Sequence, residues 1–179
     1  MKNFLCWFFF AVFCVATAQD KWVLDSDNSF ITYEASHFLH DWSGTNQNIK
    51  GVIIGSENVF QKTAIAMYVR DFDSKNNSRD NNALEILEVL QFPKIEFFSE
   101  NIENSDQELM FNGSLKFHGI EVPQNLSAQF QKKQNDFVLM GSFNLSLSDF
   151  EVPLPSFMMR KMEDEIQLKY ELHFKKLDR

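Results

Sequence analysis

The chain has 179 residues, with 17 Lys and Arg against 25 Asp and Glu and a formal net charge of −8. This acidic balance, together with the scattered placement of the basic residues, argues against nucleic acid or an anionic membrane surface as the main partner. The sequence also lacks a G-x-S-x-G motif, a phosphate-binding loop and a dinucleotide-binding fingerprint. Hydrolase and nucleotide chemistry of those types are therefore not expected.

The first 18 residues have the layout of a secretory signal peptide. Lys2 precedes an apolar run from Phe4 to Val15, and the small-residue ending Ala16-Thr17-Ala18 follows. The run is shorter than the roughly 20 residues that a membrane-spanning helix needs. We therefore expect a signal peptide over residues 1–18 and one mature domain over residues 19–179, which is periplasmic or secreted.

Both cysteines of the chain, Cys6 and Cys14, lie in the expected signal peptide. The mature domain therefore has no thiol, no disulfide and no thiolate metal site. Its length is comfortable for a single domain, and no Pro/Gly/Ser-rich linker or repeat divides it. Stability is expected to come from the packing of one core.

The first part of the mature chain alternates apolar and polar residues as strands do. Trp22 to His37 predicts one strand or a pair of strands, and Gly51 to Ile54 and Thr63 to Val69 predict two more. Polar and glycine residues between 41 and 48 predict a loop, and the segment from Phe72 to Asn82 predicts another.

The segment around residues 82–90 is where the period changes from that of a strand to that of a helix. Asn82 and Glu85 have the spacing of a capping box, and the helix is expected to end before Pro93. Its apolar residues share one face. Because the rest of the chain predicts strands, we expect this helix to cover the sheet or to close one end of it.

The later strands show the clearest alternation, with one apolar and one mostly polar face each. They run through Leu109 to Phe117, Leu126 to Phe130, Phe137 to Leu147 and Ile166 to Phe174. Long strands joined without helices predict an all-β antiparallel fold, either a sandwich or a barrel of about eight strands. The mid-strand glycines and several small alanines (Gly113, Gly141, Ala64, Ala66 and Ala128) fit an interior cavity, but a fully packed barrel with bends fits the same positions.

Phenylalanine is unusually frequent. Of 20 Phe residues, five lie in the expected signal peptide, which leaves 15 for the mature domain. Aromatic and aliphatic walls with a few polar groups at one end are typical of a site for a long apolar molecule. A dry aromatic core is the alternative that the composition leaves open.

The histidines are the natural candidates for metal binding. His37, His40 and Asp41 lie close together in the segment HFLHD and offer three ligands to a divalent ion. Ring nitrogens in such a segment more often bond to the backbone. A metal-dependent enzyme centred on these residues is therefore a weaker hypothesis than the lipid-binding protein and the protein-interaction module described below. No catalytic residue, metal or cofactor is predicted.

Several segments together resemble the YceI-like family of exported bacterial proteins. They are SFITYEASH (29–37), Arg79-Asp80, FPKIEFFS (92–99), GSLKFHGIEVP (113–123), LSDFEVPLP (147–155) and residues 164–172. The resemblance extends over nearly the whole mature chain. It implies a lipocalin-like antiparallel barrel that holds an isoprenoid-type lipid, such as a polyprenyl chain or a quinone tail, without catalysing a reaction.

We therefore predict a lipid-binding cavity with walls, a mouth and a head-group position. Strand parity places Phe97, Phe111, Phe117 and Phe143 on the walls, and a one-residue bulge would reverse that assignment. Phe38 and Trp42 are expected at the mouth, with His37 or His40 next to the polar head. The main alternative is a module with a closed core that binds a protein partner in the cell envelope. The sequence is compatible with a homodimer but does not select one, and no stable membrane insertion is expected.

Overall fold

The computed structural model describes residues 19–56, 59–157 and 160–177, so the expected signal peptide lies outside the described residues. These ranges form strands and one α-helix, α1 (Asn77–Ile86), with short 3-10 helices at Ser26–Asn28, Val69–Asp71 and Leu147–Phe150. The strands are β1 (Asp20–Leu24), β2 (Phe30–His37), β3 (His40–Asn46), β4 (Ile49–Ser56), β5 (Val59–Tyr68), β6 (Lys94–Asn104), β7 (Glu108–Phe117), β8 (Ile120–Lys133), β9 (Asp136–Ser146), β10 (Ser156–Phe157), β11 (Arg160–Lys161) and β12 (Glu165–Lys176).

Ten of these strands form one antiparallel sheet that closes on itself. Its order is β1-β4-β5-β6-β7-β8-β9-β12-β2-β3, and β1 also pairs with β12. The last strand therefore pairs with β1 near its end and with β2 near its beginning. Strands β1 and β2 together act as one interrupted strand, and so do β3 and β4, so the ten strands form a barrel of eight. The predicted eight-stranded barrel and its all-β fold class are confirmed.

The antiparallel order gives the barrel two different ends. The β2–β3 and β7–β8 turns, α1 and residues 147–164 lie at one end, which we call the upper end. The β4–β5, β6–β7 and β8–β9 turns lie at the lower end. In the upper half α1 and the residues around it lie between β3 and β5, where Thr45 and Asp73 exchange backbone hydrogen bonds of 3.1 and 3.0 Å.

Five aromatic rings fill the lower half of the barrel. This aromatic floor consists of Trp22, Phe60, Phe130, Phe137 and Phe174, with neighbouring ring centroids 4.8–5.9 Å apart. The indole N–H of Trp22 donates to the carbonyl of Asn135 at 3.0 Å, so its one polar group is satisfied. The phenylalanine content was compatible with either a ligand site or a dry aromatic core. The lower half of the barrel is such a core.

The predicted helix is present, but its boundaries are shifted. It begins after Asn76, whose side chain accepts a hydrogen bond from the backbone N–H of Arg79 at 3.1 Å, so Asn76 and not Asn82 is the N-cap. The helix ends at Ile86, and Leu90, expected on its apolar face, is fully exposed. The polar residues before 82 were predicted as a loop. Asn, Asp and Ser side chains bond to the nearby backbone in a turn as readily as at the start of a helix.

The loop predicted between residues 41 and 48 is mostly strand β3. Phe38 and Leu39 form a two-residue turn that places His37 opposite His40 and fixes the register of the hairpin. The hydroxyls of Thr32 and Thr45 then meet across the two strands at 2.8 Å. The polar side chains that suggested a loop belong to a strand whose partner on one side is the helical segment instead of another strand.

Candidate ligand-binding cavity

A cavity of about 710 Å3 occupies the upper half of the barrel. Its walls are mostly aliphatic and aromatic side chains from the strands, from α1 and from residues 152–162. The size lies within the usual range for sites that enclose a small molecule. The interior cavity is therefore present, although Ala64 and Ala66 do not contribute to it, because Thr63, Ile65 and Met67 face inward and the two alanines face outward.

The structure places all four predicted wall phenylalanines around this cavity. Phe97, Phe111 and Phe117 are buried, and Phe143 is half-buried. Gly113 makes room for the ring of Phe97. A Cβ at position 113 would lie 2.8 Å from that ring and would also collide with the Phe98 carbonyl. Their contact with a ligand remains a prediction.

A second glycine makes room for a phenol. The side chain of Tyr170 lies over Gly141, its cross-strand neighbour, and a Cβ there would lie 2.6 Å from the ring carbon that bears the hydroxyl. The hydroxyl donates to the Ser127 carbonyl at 3.0 Å. Burial raises the pKa of Tyr170 to about 12, so the phenol keeps its proton at neutral pH.

The cavity reaches the surface beside the N-terminal turns of α1. His40 and Trp42 line it there, with ring centroids 5.6 Å apart, and the Arg79 guanidinium lies 5.8 Å from the centre of the Trp42 ring. Tyr33 lies deeper, where burial and then the nearby Asp80 carboxylate raise the pKa of its phenol. Two of the predicted mouth and head-group residues, His40 and Trp42, thus lie at the mouth.

The other two predicted residues lie outside the cavity. His37 is buried, and its Nε2 lies 3.2 Å from the backbone carbonyl of Arg160. Phe38 is on the β2–β3 turn, 47% exposed, with the Arg160 guanidinium 4.7 Å from its ring centre. Neither side chain is among those that line the cavity.

The geometry around His37 does not assemble a metal site. The rings of His37 and His40 are 6.4 Å apart, and the Asp41 carboxylate accepts a hydrogen bond from Ser36 at 2.5 Å. Successive strand residues such as His40 and Asp41 point to opposite faces. Within the described ranges, no three His, Cys, Asp or Glu side chains are close enough to hold a metal ion.

Sequence reasoning missed several residues of the cavity. The helix contributes Ala83, Leu84, Ile86 and polar residues such as Arg79, Leu87 follows directly after it, and β12 contributes Tyr170. The alternation of β12 already indicated that Tyr170 shares a face with Ile166, Leu168 and Leu172. The contribution of Arg79 and its neighbours before residue 82 depended on the true N-cap at Asn76, which the sequence pattern did not reveal.

A closed antiparallel barrel with an apolar cavity and a partly polar mouth defines the class of small ligand-binding β-barrels. The family model of the YceI-like domain matches residues 22–174, and the chain belongs to that family. The resemblance seen in the sequence is therefore confirmed. None of the curated proteins compared with the chain matches it.

Solved structures with the same fold extend over most of the chain. BcnA of Burkholderia cenocepacia has a TM-score of 0.75 at 14% identity, covering 84% of this chain and 98% of its own. A polyisoprenoid-binding domain of Saccharophagus degradans, implicated in plant cell wall breakdown, has a TM-score of 0.72 at 10% identity and covers 86% and 97%. The YceI protein of Campylobacter jejuni has a TM-score of 0.64 at 17% identity and covers 76% and 85%. In the described part of this chain, no helix has the length and hydrophobicity to cross a bilayer.

Proposed function

We propose that this protein binds an isoprenoid-type amphiphile, such as a polyprenyl or quinone-like lipid, and holds or shuttles it outside the cytoplasm. The observation that supports the proposal is the cavity of about 710 Å3 with almost entirely apolar walls. Membership of the YceI-like family points the same way, and one protein of this fold is described as polyisoprenoid-binding. No covalent step is part of the proposal.

Burial of the apolar tail drives binding in this account. Each methylene group removed from water contributes about 0.8 kcal/mol, so a partly enclosed prenyl chain offsets the ordering of the ligand and of the side chains around it. The tail lies against Phe97, Phe111, Phe117 and Phe143. The aromatic floor limits how deeply the tail reaches, because its five rings leave no continuation of the cavity.

The polar head lies at the mouth in the same account. His40 and Trp42 line that opening, and Arg79 stacks near the indole. A histidine and an arginine donate hydrogen bonds to a hydroxyl, a carbonyl or an acidic group, and an aromatic ring with a polar edge suits the border between an apolar and a wet region.

Native mass spectrometry of the protein purified from the envelope fraction of its own host tests the proposal. We expect a discrete additional mass of about one lipid per chain, which organic extraction then identifies as an isoprenoid amphiphile. The same spectrum reports whether the polypeptide begins near Gln19, as cleavage after Ala18 requires. A bare polypeptide that stays bare after incubation with polyprenyl and quinone lipids contradicts the proposal and favours the protein-interaction module.

A cavity-filling variant separates specific from non-specific lipid. Ala35 is buried on the cavity wall, so Ala35→Trp places a large ring in the space that the tail would occupy. We expect this variant to lose the lipid mass. The matched control is Ala66→Trp, on the outer face of the neighbouring wall, which leaves the lipid in place. Equal lipid content in both variants means that the lipid binds outside the cavity.

A further inference from the structure

Besides the gap between β3 and β5, which α1 and its neighbours fill, one junction in the barrel wall is paired only in its lower half. Strands β7 and β8 pair over ten residue positions, and so do β9 and β12, but β8 and β9 pair over five, from Lys133 opposite Asp136 to Gln129 opposite Met140. Continuing this register upward would place Ser127 opposite Ser142 and Asn125 opposite Asn144. In the described structure these pairs do not form. We call this opening, between residues 121–127 and 142–146, the β8–β9 seam.

The residues along the seam suit an unpaired strand edge. Ser127 points its carbonyl into the seam, since that carbonyl accepts the Tyr170 hydroxyl at 3.0 Å. Pro123 lies four positions away, so its backbone faces the same side. Proline has no N–H to donate to a neighbouring strand, and it is confined to edges and bulges of sheets. The sequence of β8 is therefore incompatible with a complete ladder at this place.

Side chains close the seam where backbone pairing does not. Tyr170 reaches from β12 across Gly141 to β8, and only a glycine leaves it the space, because a Cβ at 141 would also lie 2.8 Å from the Ser127 carbonyl. Phe143, half-buried, and Leu126 line the cavity from the two edges of the seam. Above them, Phe150 packs on Phe117 with ring centroids 5.6 Å apart, and its carbonyl accepts a hydrogen bond from Nδ1 of His118 at 3.0 Å.

We propose that the apolar chain of the ligand enters and leaves the cavity sideways through the β8–β9 seam, and that the hydrogen bond from Tyr170 to Ser127 holds the seam closed. This inference rests on the proposed lipid-binding function. Below the Phe150 contacts, opening the seam requires the hydrogen bond of Tyr170 to break and the side chains of Leu126 and Phe143 to move. Opening a fully paired junction requires several backbone hydrogen bonds to break at once. The mouth beside α1 then receives the polar head, while the tail passes through the wall.

The first experiment needs no ligand. Because the mature domain has no cysteine, Leu126→Cys introduces a single thiol on the cavity wall beside the seam. In the apo protein we expect Tyr170→Phe to accelerate labelling of this thiol by a small maleimide by about threefold to tenfold, the factor that one net hydrogen bond represents. Tyr68→Phe, a phenol that does not line the cavity, is the matched control and leaves the rate unchanged. Equal labelling rates with and without Tyr170→Phe overturn the role of this hydroxyl.

The second experiment follows exchange of a farnesol analogue that bears a pyrene group. Tyr170→Phe keeps the ring on the cavity wall, so we expect the association and dissociation rates to rise by the same threefold to tenfold while Kd stays within about twofold. A rise in the dissociation rate alone, and with it in Kd, would mean that the hydroxyl contacts the bound ligand and does not control its passage.

Two cross-links then identify the route. Asn125→Cys with Asn144→Cys, both exposed on opposite edges of the seam, is bridged by a short bis-maleimide, and Trp42→Cys with Arg79→Cys is bridged across the mouth. We expect the seam cross-link to slow pyrene exchange far more than the mouth cross-link does, each measured against its own unbridged protein. The reverse order overturns the proposal. Absence of pyrene binding in the unaltered protein contradicts lipid binding itself, and the thiol-labelling rates then decide separately whether the seam opens.

Discussion

Below the layer formed by Phe111, Leu139 and Leu172 the barrel is packed with aromatic rings, and from that layer upward it encloses about 710 Å3 of cavity. On β9 and β12 the transition takes one side-chain step along the strand. On β9, Phe137 packs on the other four rings of the aromatic floor, with centroid distances of 4.8–5.9 Å, and Leu139, two residues later, lines the cavity.

The comparison shows that phenylalanine content alone does not indicate whether a barrel is filled. Rings in the floor contact one another, whereas the wall ring of Phe97 packs against the backbone at Gly113 and leaves the centre of the barrel open. The neighbours of the rings therefore determine the function of each half. The floor stabilises the closed barrel, and the upper half provides the space for a ligand.

The largest contrast is expected from truncating one ring in each half. Phe137→Ala removes a ring that is 2% exposed from the centre of the floor and should lower the free energy of unfolding by about 3–5 kcal/mol. Phe143→Ala enlarges a cavity that already exists and should cost about 1 kcal/mol or less. Urea denaturation measures both. Equal losses would mean that the wall rings are packed as tightly as the floor.

Alkaline pH should destabilise the upper half through Tyr170. Its folded pKa of about 12 lies above the ordinary value of 10, so the folded protein holds this proton where the unfolded chain releases it. The contribution is complete below pH 10 and is lost as the pH rises toward 12, about 2–3 kcal/mol in all. Urea midpoints at pH 9 and pH 11.5 should therefore differ more for the unaltered protein than for Tyr170→Phe. An identical loss in the unaltered protein and in Tyr170→Phe would contradict the assignment.

Enlarging an alanine should distinguish packed from empty space. Ala128 is 1% exposed and lies outside the cavity, so Ala128→Leu overpacks the barrel and should cost about 1–3 kcal/mol. Ala35→Leu points into the cavity and should leave stability nearly unchanged while lowering lipid occupancy. Thermal unfolding and native mass spectrometry provide the two readouts, and a destabilised Ala35→Leu with a stable Ala128→Leu would reverse the comparison.

The smallest effect is expected at the upper rim. The Asp164 carboxylate accepts hydrogen bonds from the hydroxyls of Ser146 and Ser148 and from the backbone N–H of Ser148, and the Ser148 hydroxyl contributes most to lowering its pKa. Asp164→Asn should cost about 1 kcal/mol or less, because the group is close to solvent. In the unaltered protein this stabilisation is present above pH 4 and is lost as the pH falls further.

Hydrogen exchange measures how far the effect of Asp164→Asn extends. Exchange of residues 147–152 should be faster in the variant, while that of the floor strands stays constant. Faster exchange in both halves would show that the rim supports the whole barrel.

Much of the fold could be predicted from the sequence, because alternation is a local pattern. The parity of β6, β7 and β9 placed Phe97, Phe111, Phe117 and Phe143 on the inner face, where the structure has them. The helix was expected as a cover, and α1 does line the cavity. Its start was wrong by several residues because Asn76 and Asn82 are equally good caps when only neighbouring residues are considered.

The remaining features depend on contacts between distant parts of the chain. Nothing local distinguishes Phe137 from Phe143 on the same strand, since the layer at which the cavity begins depends on rings from β1, β5 and β12. His37 and Phe38 were predicted at the site because they lie near His40 in sequence. His37 is instead buried against the Arg160 carbonyl, and Phe38 lies on the exposed turn, both outside the cavity lining. The contact that bridges the β8–β9 seam likewise comes from Tyr170, which lies on a third strand.

The pairing of the first strand with the last also affects how the protein folds. Val23 in β1 pairs with Lys175 in β12, so closing the barrel joins residues from nearly opposite ends of the described chain. Such distant contacts make folding slow, in the range of milliseconds to seconds for β-rich domains, since loop entropy is lost before the contacts form. Until β12 is available, β1, β2 and β9 each lack a neighbour, and the unfinished sheet has exposed edges. A chain still being synthesised therefore stays open until its last strand appears.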